Sequence, residues 1–403
     1  MFIEQSAARS SAVRMVFVLA GVVPCLAVAA VAWWRHSPGH VARVTQAASA
    51  HLGLPVSAGA IVHPRPSVLR LAQVVVGGTS GGRALVVPQV EVETAAGEVR
   101  VRVPRLECSP GAVKVLAEIA GEWLRRPTRF VDAWVLDVGE TTWPVSAGAG
   151  GRGPGGWHVE CVAVDDSRAV RCRREPPTTD DVRVRTSPEG FVVEGSLGEG
   201  VPLAMLAAVV PGGTPWIDAV GGHAVVSGRI DARCGADGWS GSVAGTIEHA
   251  ALDGISAGAG RMQAEATITV TNLQFVAGRI MACDMLVSAT AGTLPQAMLD
   301  GLVSNLGCRP GPAYRAIGGD AARRFDRLAC RMVLEGGVLR IRSVEGGGGA
   351  LLVAQGLSML DEPAAAVPAT RLAWFMSPEG RPAVPATPAS AWLMSVLPDA
   401  GAF

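Results

Sequence analysis

Eight cysteines, seven histidines and two adjacent aspartate pairs are the residues of this 403-residue chain whose types could do chemistry. A zinc or redox centre needs thiols or imidazoles spaced so that several donors converge on one ion. No cysteine pair has C-x-x-C spacing, and His51, His63, His158, His223 and His249 show no mutual spacing. No metal site and no cofactor is expected. Asp165-Asp166 and Asp180-Asp181 could share acid–base work, yet both sit at turns, where Asp is common. The chain has no G-x-S-x-G elbow, and Gly346 to Gly349 lack the Lys-Ser/Thr ending of a phosphate loop. No catalytic residue is named, and the chain is not expected to be an enzyme.

Cys161 and Cys172 stand apart. If their hairpin turns on Asp166-Ser167, they lie directly opposite each other. The pair then reads either as a cross-strand disulfide in an oxidising compartment or as two reduced, buried thiols. Cys308 and Cys330 flank a loop and form a second, looser pair.

The elements that must position these residues follow from patterning. Residues 15–34, MVFVLAGVVPCLAVAAVAWW, carry no charge. About 20 residues make ~30 Å of helix, enough for a bilayer core. Trp33 and Trp34 close the segment, where indole rings favour the headgroup layer. The segment reads as an uncleaved anchor, with a signal peptide cut near Ala30-Val31-Ala32 as the alternative. Residues 1–14 are then a short cytoplasmic tail, and the body lies outside the cytoplasm.

Beyond the anchor, apolar and polar residues alternate. In 89–94 and 98–103, Val90, Val92, Val101 and Val103 face one way and Glu91, Glu93, Arg100 and Arg102 the other, the period of a strand with one wet face. The pattern recurs through 157–164, 169–175, 182–186, 191–197, 224–233, 240–248, 262–270, 280–288, 330–334, 338–344 and 350–355, with turn residues between. This is an antiparallel meander. Residues 41–52, 110–126, 202–210 and 295–306 break it with helical spacing. The fold class is mainly β: an N-terminal transmembrane helix, then an elongated, curved antiparallel sheet with a few short helices. Residues 361–403, rich in Pro and Ala, are expected to be a largely disordered tail, with two apolar patches, Leu372 to Met376 and Trp392 to Leu397, that either dock back on the body or contact a membrane or partner. Lys+Arg and Asp+Glu both total 35, so the cation surplus a nucleic-acid binder needs is missing.

The order of features resembles the AsmA-like family of envelope proteins, within the bridge-like, TamB-related group. The residues that carry the likeness are Ala48-Ser49-Ala50-His51-Leu52-Gly53-Leu54-Pro55-Val56-Ser57 after the anchor and Val201-Pro202-Leu203-Ala204-Met205-Leu206 before Gly221-Gly222-His223. Near the end they are Glu335-Gly336-Gly337-Val338-Leu339-Arg340-Ile341 and Gln355-Gly356. The resemblance implies that 35–360 form a periplasmic β-groove, anchored in the inner membrane, that binds or conveys acyl chains and supports envelope homeostasis. Phospholipid or another acyl lipid is the implied partner, with envelope proteins as further ones.

Physics suits that implication. A lipid tail in water costs ~0.8 kcal/mol per exposed CH₂, so a tail of about 16 carbons loses on the order of 10 kcal/mol crossing unaided. Fifteen to twenty strands ~4.8 Å apart would span roughly 70–100 Å. Val90, Val92, Val101, Val103, Ile268, Val270 and Ile341 are the expected inward row. The alternative is a non-enzymatic envelope scaffold or secretion-apparatus component with a closed β core.

Overall fold

The structure, a computed structural model, describes residues 7–35, 37–78, 84–95, 98–125, 133–143, 155–164, 167–175, 179–209, 220–221, 223–254, 256–257, 260–315, 322–344, 349–376 and 388–398. The chain opens with a continuous helix through Ala7–Phe17, a π-turn at Val18–Val22, and Val23–Arg35. Within it, Ser11–Arg35 is long and apolar enough to cross a membrane, and none of it is buried against the body. The π-turn ends at Val22, two residues before Pro24. Proline has no N–H to donate and crowds the preceding turn, and a local widening accommodates it.

Helix α1 (Pro38–Leu52) follows after Ser37. Trp34 at the anchor's end packs on His40 at 5.0 Å between ring centroids, and the Arg43 guanidinium lies 4.8 Å from the Trp34 ring. The His40 and His63 Nε2 atoms are 2.9 Å apart, which pins α1 to the first strands. Gly53, with φ of 72°, ends α1 in the left-handed conformation that glycine adopts without strain.

The body is one large open sheet. Its strands are β1 (Val56–Ser57), β2 (Ala60–Arg65), β3 (Val68–Val76), β4 (Leu85–Ala95), β5 (Glu98–Glu107), β6 (Ala133–Thr142), β7 (Gly156–Val164) and β8 (Ser167–Glu175). Then come β9 (Asp181–Ser187), β10 (Gly190–Pro202), β11 (Val225–Gly235) and β12 (Gly238–Ala251). A separate two-stranded pair is β13 (Ser256–Ala257) and β14 (Gly260–Arg261). The sheet resumes with β15 (Gln263–Val276), β16 (Arg279–Pro295), β17 (Arg309–Pro310), β18 (Ala322–Phe325) and β19 (Arg327–Glu335). It ends with β20 (Val338–Ser343), β21 (Ala350–Ala354), β22 (Leu357–Asp361) and β23 (Val367–Pro368).

From β2 to β12 each strand pairs with the next in sequence, then β12 pairs with β15, β15 with β16, and β16 with β18 and β19. Every step is antiparallel except β5 to β6, which is parallel. A parallel step needs a crossover, and helix α2 (Pro110–Arg125) supplies it. The outer strands carry Pro64 in β2, Pro310 in β17 and Pro368 in β23. A proline cannot donate to a further strand, so it blunts the open edges against added chains.

The two faces differ. The outer face carries a charge row in register: Arg70, Glu91, Arg102, Asp137, His158, Arg173 and Asp181 lie opposite one another from β3 to β9. Arg70 Nη2 is 3.0 Å from Glu91 Oε2, and His158 sits between Asp137 at 2.6 Å and Glu160 at 2.8 Å. Hydrogen bonding from the Arg171 guanidinium holds the Asp181 carboxyl below the usual carboxylate range.

The inner face is apolar and partly covered. Ala112, Val115 and Ile119 of α2 pack with Val90, Val103 and Val138, and Val92 and Val101 adjoin them half-buried. Trp123 and Leu124 of the same helix pack on Cys161 and Val170. Arg168 donates to the Trp123 carbonyl at 2.9 Å and lies over its ring at 4.8 Å, satisfying an orphan carbonyl at the helix end. Helix α3 (Leu203–Val209) comes next, with Leu203 packed against Ala224, Ile247 and Ala250.

Two expectations need correction. Cys161 and Cys172 are not directly opposite: Val164 pairs with Ser167, so Cys161 faces Val170 and Cys172 faces Val159. The turn centre lies one residue earlier than expected. The cysteines are diagonal neighbours, typically ~7–8 Å apart, beyond ordinary disulfide reach, and both thiols are free. Burial pushes the Cys172 thiol up to about 12 and raises Cys161 further. Native protein at pH near 8 should therefore resist alkylation at both sites, and denatured, unreduced protein should label at both. A Cys161–Cys172 bridge in the peptide map would contradict this register.

The second correction concerns residues from 361 onward. Disorder does not extend over β23, α5 (Thr370–Phe375) or α6 (Pro388–Val396). Their apolar residues find a partner in the sheet, as described next.

Candidate functional site: an apolar cavity beneath the C-terminal helices

The inner face of β12, β15, β16, β19 and β20 forms a floor of cross-strand rungs. One rung runs Ile247, Ile268, Val287, Cys330. The next runs Val270, Met285, Met332, Ile341, and a third runs Leu273, Cys283, Leu334, Leu339. Strict alternation would turn Leu273 outward, since Ile268 and Val270 already face in. A bulge prevents this: Val270 pairs with Met285 and Asn272 with Asp284, so Thr271 is an extra residue. Met281 does the same on β16, between the Ala282–Gln274 and Ile280–Phe275 pairs. Each bulge shifts the phase by one and keeps an apolar floor across the break.

The roof is helical. Helix α4 (Gln296–Leu306) contributes Met298, Leu302 and Leu306, which recur every fourth residue and so share one face. Gly307 ends it with φ of 70°. Leu372 and Phe375 of α5, Met376, and Trp392, Leu393 and Val396 of α6 complete the roof. Leu397, just past α6, is buried with Cys283 and Leu334.

Floor and roof bound a half-open cavity of about 600 Å³. That volume is within the ~300–1,000 Å³ usual for ligand sites. Every lining residue is aliphatic, aromatic, methionine, cysteine or glycine, and none carries a charge. The outward side of the same strands is wet, with the Arg331 guanidinium paired to Asp284 at 2.9 Å between Nε and Oδ1. Burial pushes the lining thiols Cys283 and Cys330 up to about 11 and Cys308 up to about 12, so they behave as small apolar groups.

The seven residues expected to form one inward row fall in two places. Ile268, Val270 and Ile341 line the cavity. Val90, Val92, Val101 and Val103 lie under α2, about ten strands away, in a packed core. The roof residues of α5 and α6 were outside the expected row. They come from the two apolar patches of the tail, 372–376 and 392–397, for which docking back on the body was one of the two expected roles.

Comparison with known protein families, with curated proteins and with solved structures finds no match for this chain.

The adjacent aspartates do not form a shared site among the described residues. Asp180 and Asp181 point apart: Asp180 is buried against Arg174, and Asp181 is exposed beside Arg171. Asp165-Asp166 and most of Gly346 to Gly349 lie outside the described residues. A smaller cleft of about 360 Å³ on the outer face is lined by Arg65, Arg70, Glu91, Glu93 and Arg102, and Arg70 and Arg102 are paired with the two glutamates. Among the described residues, no three His, Cys, Asp or Glu side chains converge as metal ligands.

Proposed function

We propose that this chain is a membrane-tethered lipid-binding protein that holds acyl chains in the cavity between its C-terminal sheet and helices. The single observation that carries the reading is an uncharged, wholly apolar cavity of about 600 Å³ in a chain that also has a membrane-length helix. Each methylene moved from water into such a space gains ~0.8 kcal/mol without any directed contact. A charged headgroup has no partner inside and stays at the mouth. The arrangement accords with the resemblance to AsmA-like proteins, and with it we place the anchor in the inner membrane and the body in the periplasm.

The covered inner face over Val90 and Val103 favours a holder of acyl chains over a conduit along the whole sheet. That same packed half suits the scaffold reading, in which protein partners bind the outer face. Organic extraction of the full chain, purified in amphipol, separates the two. Co-purifying lipid in near-stoichiometric amount supports the holder; a lipid-free extract supports the scaffold.

A further inference from the structure

Sulfur is concentrated in the cavity. Of the eleven methionines in the chain, Met262, Met285, Met298, Met332 and Met376 line it. Met285 and Met332 are directly opposed on β16 and β19, at the middle of the central rung. Their neighbours on that rung, Val270 and Ile341, are β-branched. Branched side chains hold one rotamer firmly. A thioether chain is unbranched, turns about three bonds and refills irregular space at little cost, which is why methionine recurs at surfaces that accept varied partners. The rung therefore has stiff flanks and a yielding centre. Met298 and Met376 place the same yielding material in the roof.

We propose that the opposed Met285 and Met332 side chains set the acyl-chain specificity of this cavity, letting it take bent and straight chains alike. The inference rests on the acyl-chain reading above. A straight chain lies along a rigid wall as readily as along a soft one. A chain bent by a cis double bond needs wall atoms to move aside at the bend and close up beyond it.

The test compares stearate with oleate, equal in carbon count and differing by one cis double bond. Each displaces a pyrene-labelled fatty acid from the full chain in amphipol. The native protein should bind the two within about twofold. In the Met285→Ile/Met332→Ile variant, oleate should weaken by roughly tenfold relative to stearate. Isoleucine suits a strand and is close in volume, so the sheet is retained; a thermal melt checks this, and Met332→Ile alone serves if the double variant melts early. Equal weakening of both acids, or a native preference above about tenfold, overturns the proposal while leaving the site intact. No displacement by either acid from the native protein overturns the acyl-chain reading itself.

Discussion

Asp180→Ala is expected to cost about 3–5 kcal/mol of stability, the usual penalty for removing one partner of a buried ion pair. The Asp180 side chain is completely buried and that of Arg174 is 2% exposed, with Nε and Oδ2 2.9 Å apart. The second carboxylate oxygen accepts from the Gly198 N–H, which ties the entry to β9 onto β10. A side chain at position 198 would collide with Thr179, so glycine is what allows this approach. The Arg174 guanidinium also lies 5.2 Å from the Trp157 ring. Truncating Asp180 removes the carboxylate that faces that buried cation. Urea unfolding of the full chain in micelles, followed by tryptophan fluorescence, should show a large drop in midpoint. The Arg174→Met/Asp180→Leu double variant should recover most of it, because apolar replacements of a whole buried pair are close to neutral. A loss below about 1 kcal/mol for Asp180→Ala would show a solvated, surface-type pair instead.

Ile268→Trp is expected to remove bound lipid by more than about tenfold without lowering stability. Ile268 sits in the first rung of the floor, between Ile247 and Val287, and lines the cavity. An indole there occupies empty space instead of displacing packed neighbours, and filling a cavity commonly stabilises. Lipid phosphorus per mole of purified protein measures the first effect and a thermal melt the second. Unchanged lipid content would place any bound lipid elsewhere, and an early melt would show that the space around Ile268 is already filled.

Much of the fold was legible because period-two alternation and helical spacing are local signals. The helix expected at 110–126 is α2 at Pro110–Arg125, and the one expected at 295–306 is α4 at Gln296–Leu306. The spacing of α2 left two roles open, plugging a sheet end or capping the apolar face; the crossover was not legible. Nothing local says that β5 and β6 run parallel, so a helix that spans a crossover and seals Val90 and Val103 looks the same as one that caps a sheet end. Register failed for a related reason. A shift of one residue in the turn before Ser167 moves Cys161 and Cys172 from opposed to diagonal, and alternation alone does not specify a turn's centre. The bulges at Thr271 and Met281 break the alternation that the reading relied on, so Leu273, Phe275 and Cys283 were missed as floor residues. Ile268 and Val270 precede the break and keep the expected inward phase.

Where lipid touches the chain separates a lipid-holding cavity from a packed scaffold most directly. A benzophenone amino acid at position 270 or at position 92, introduced into the full chain in native membranes and irradiated, reports this by intact mass. Lipid attached at 270 and not at 92 is the predicted result, since Val270 faces the cavity and Val92 adjoins the core under α2. Lipid at neither position, or equally at both, would contradict it.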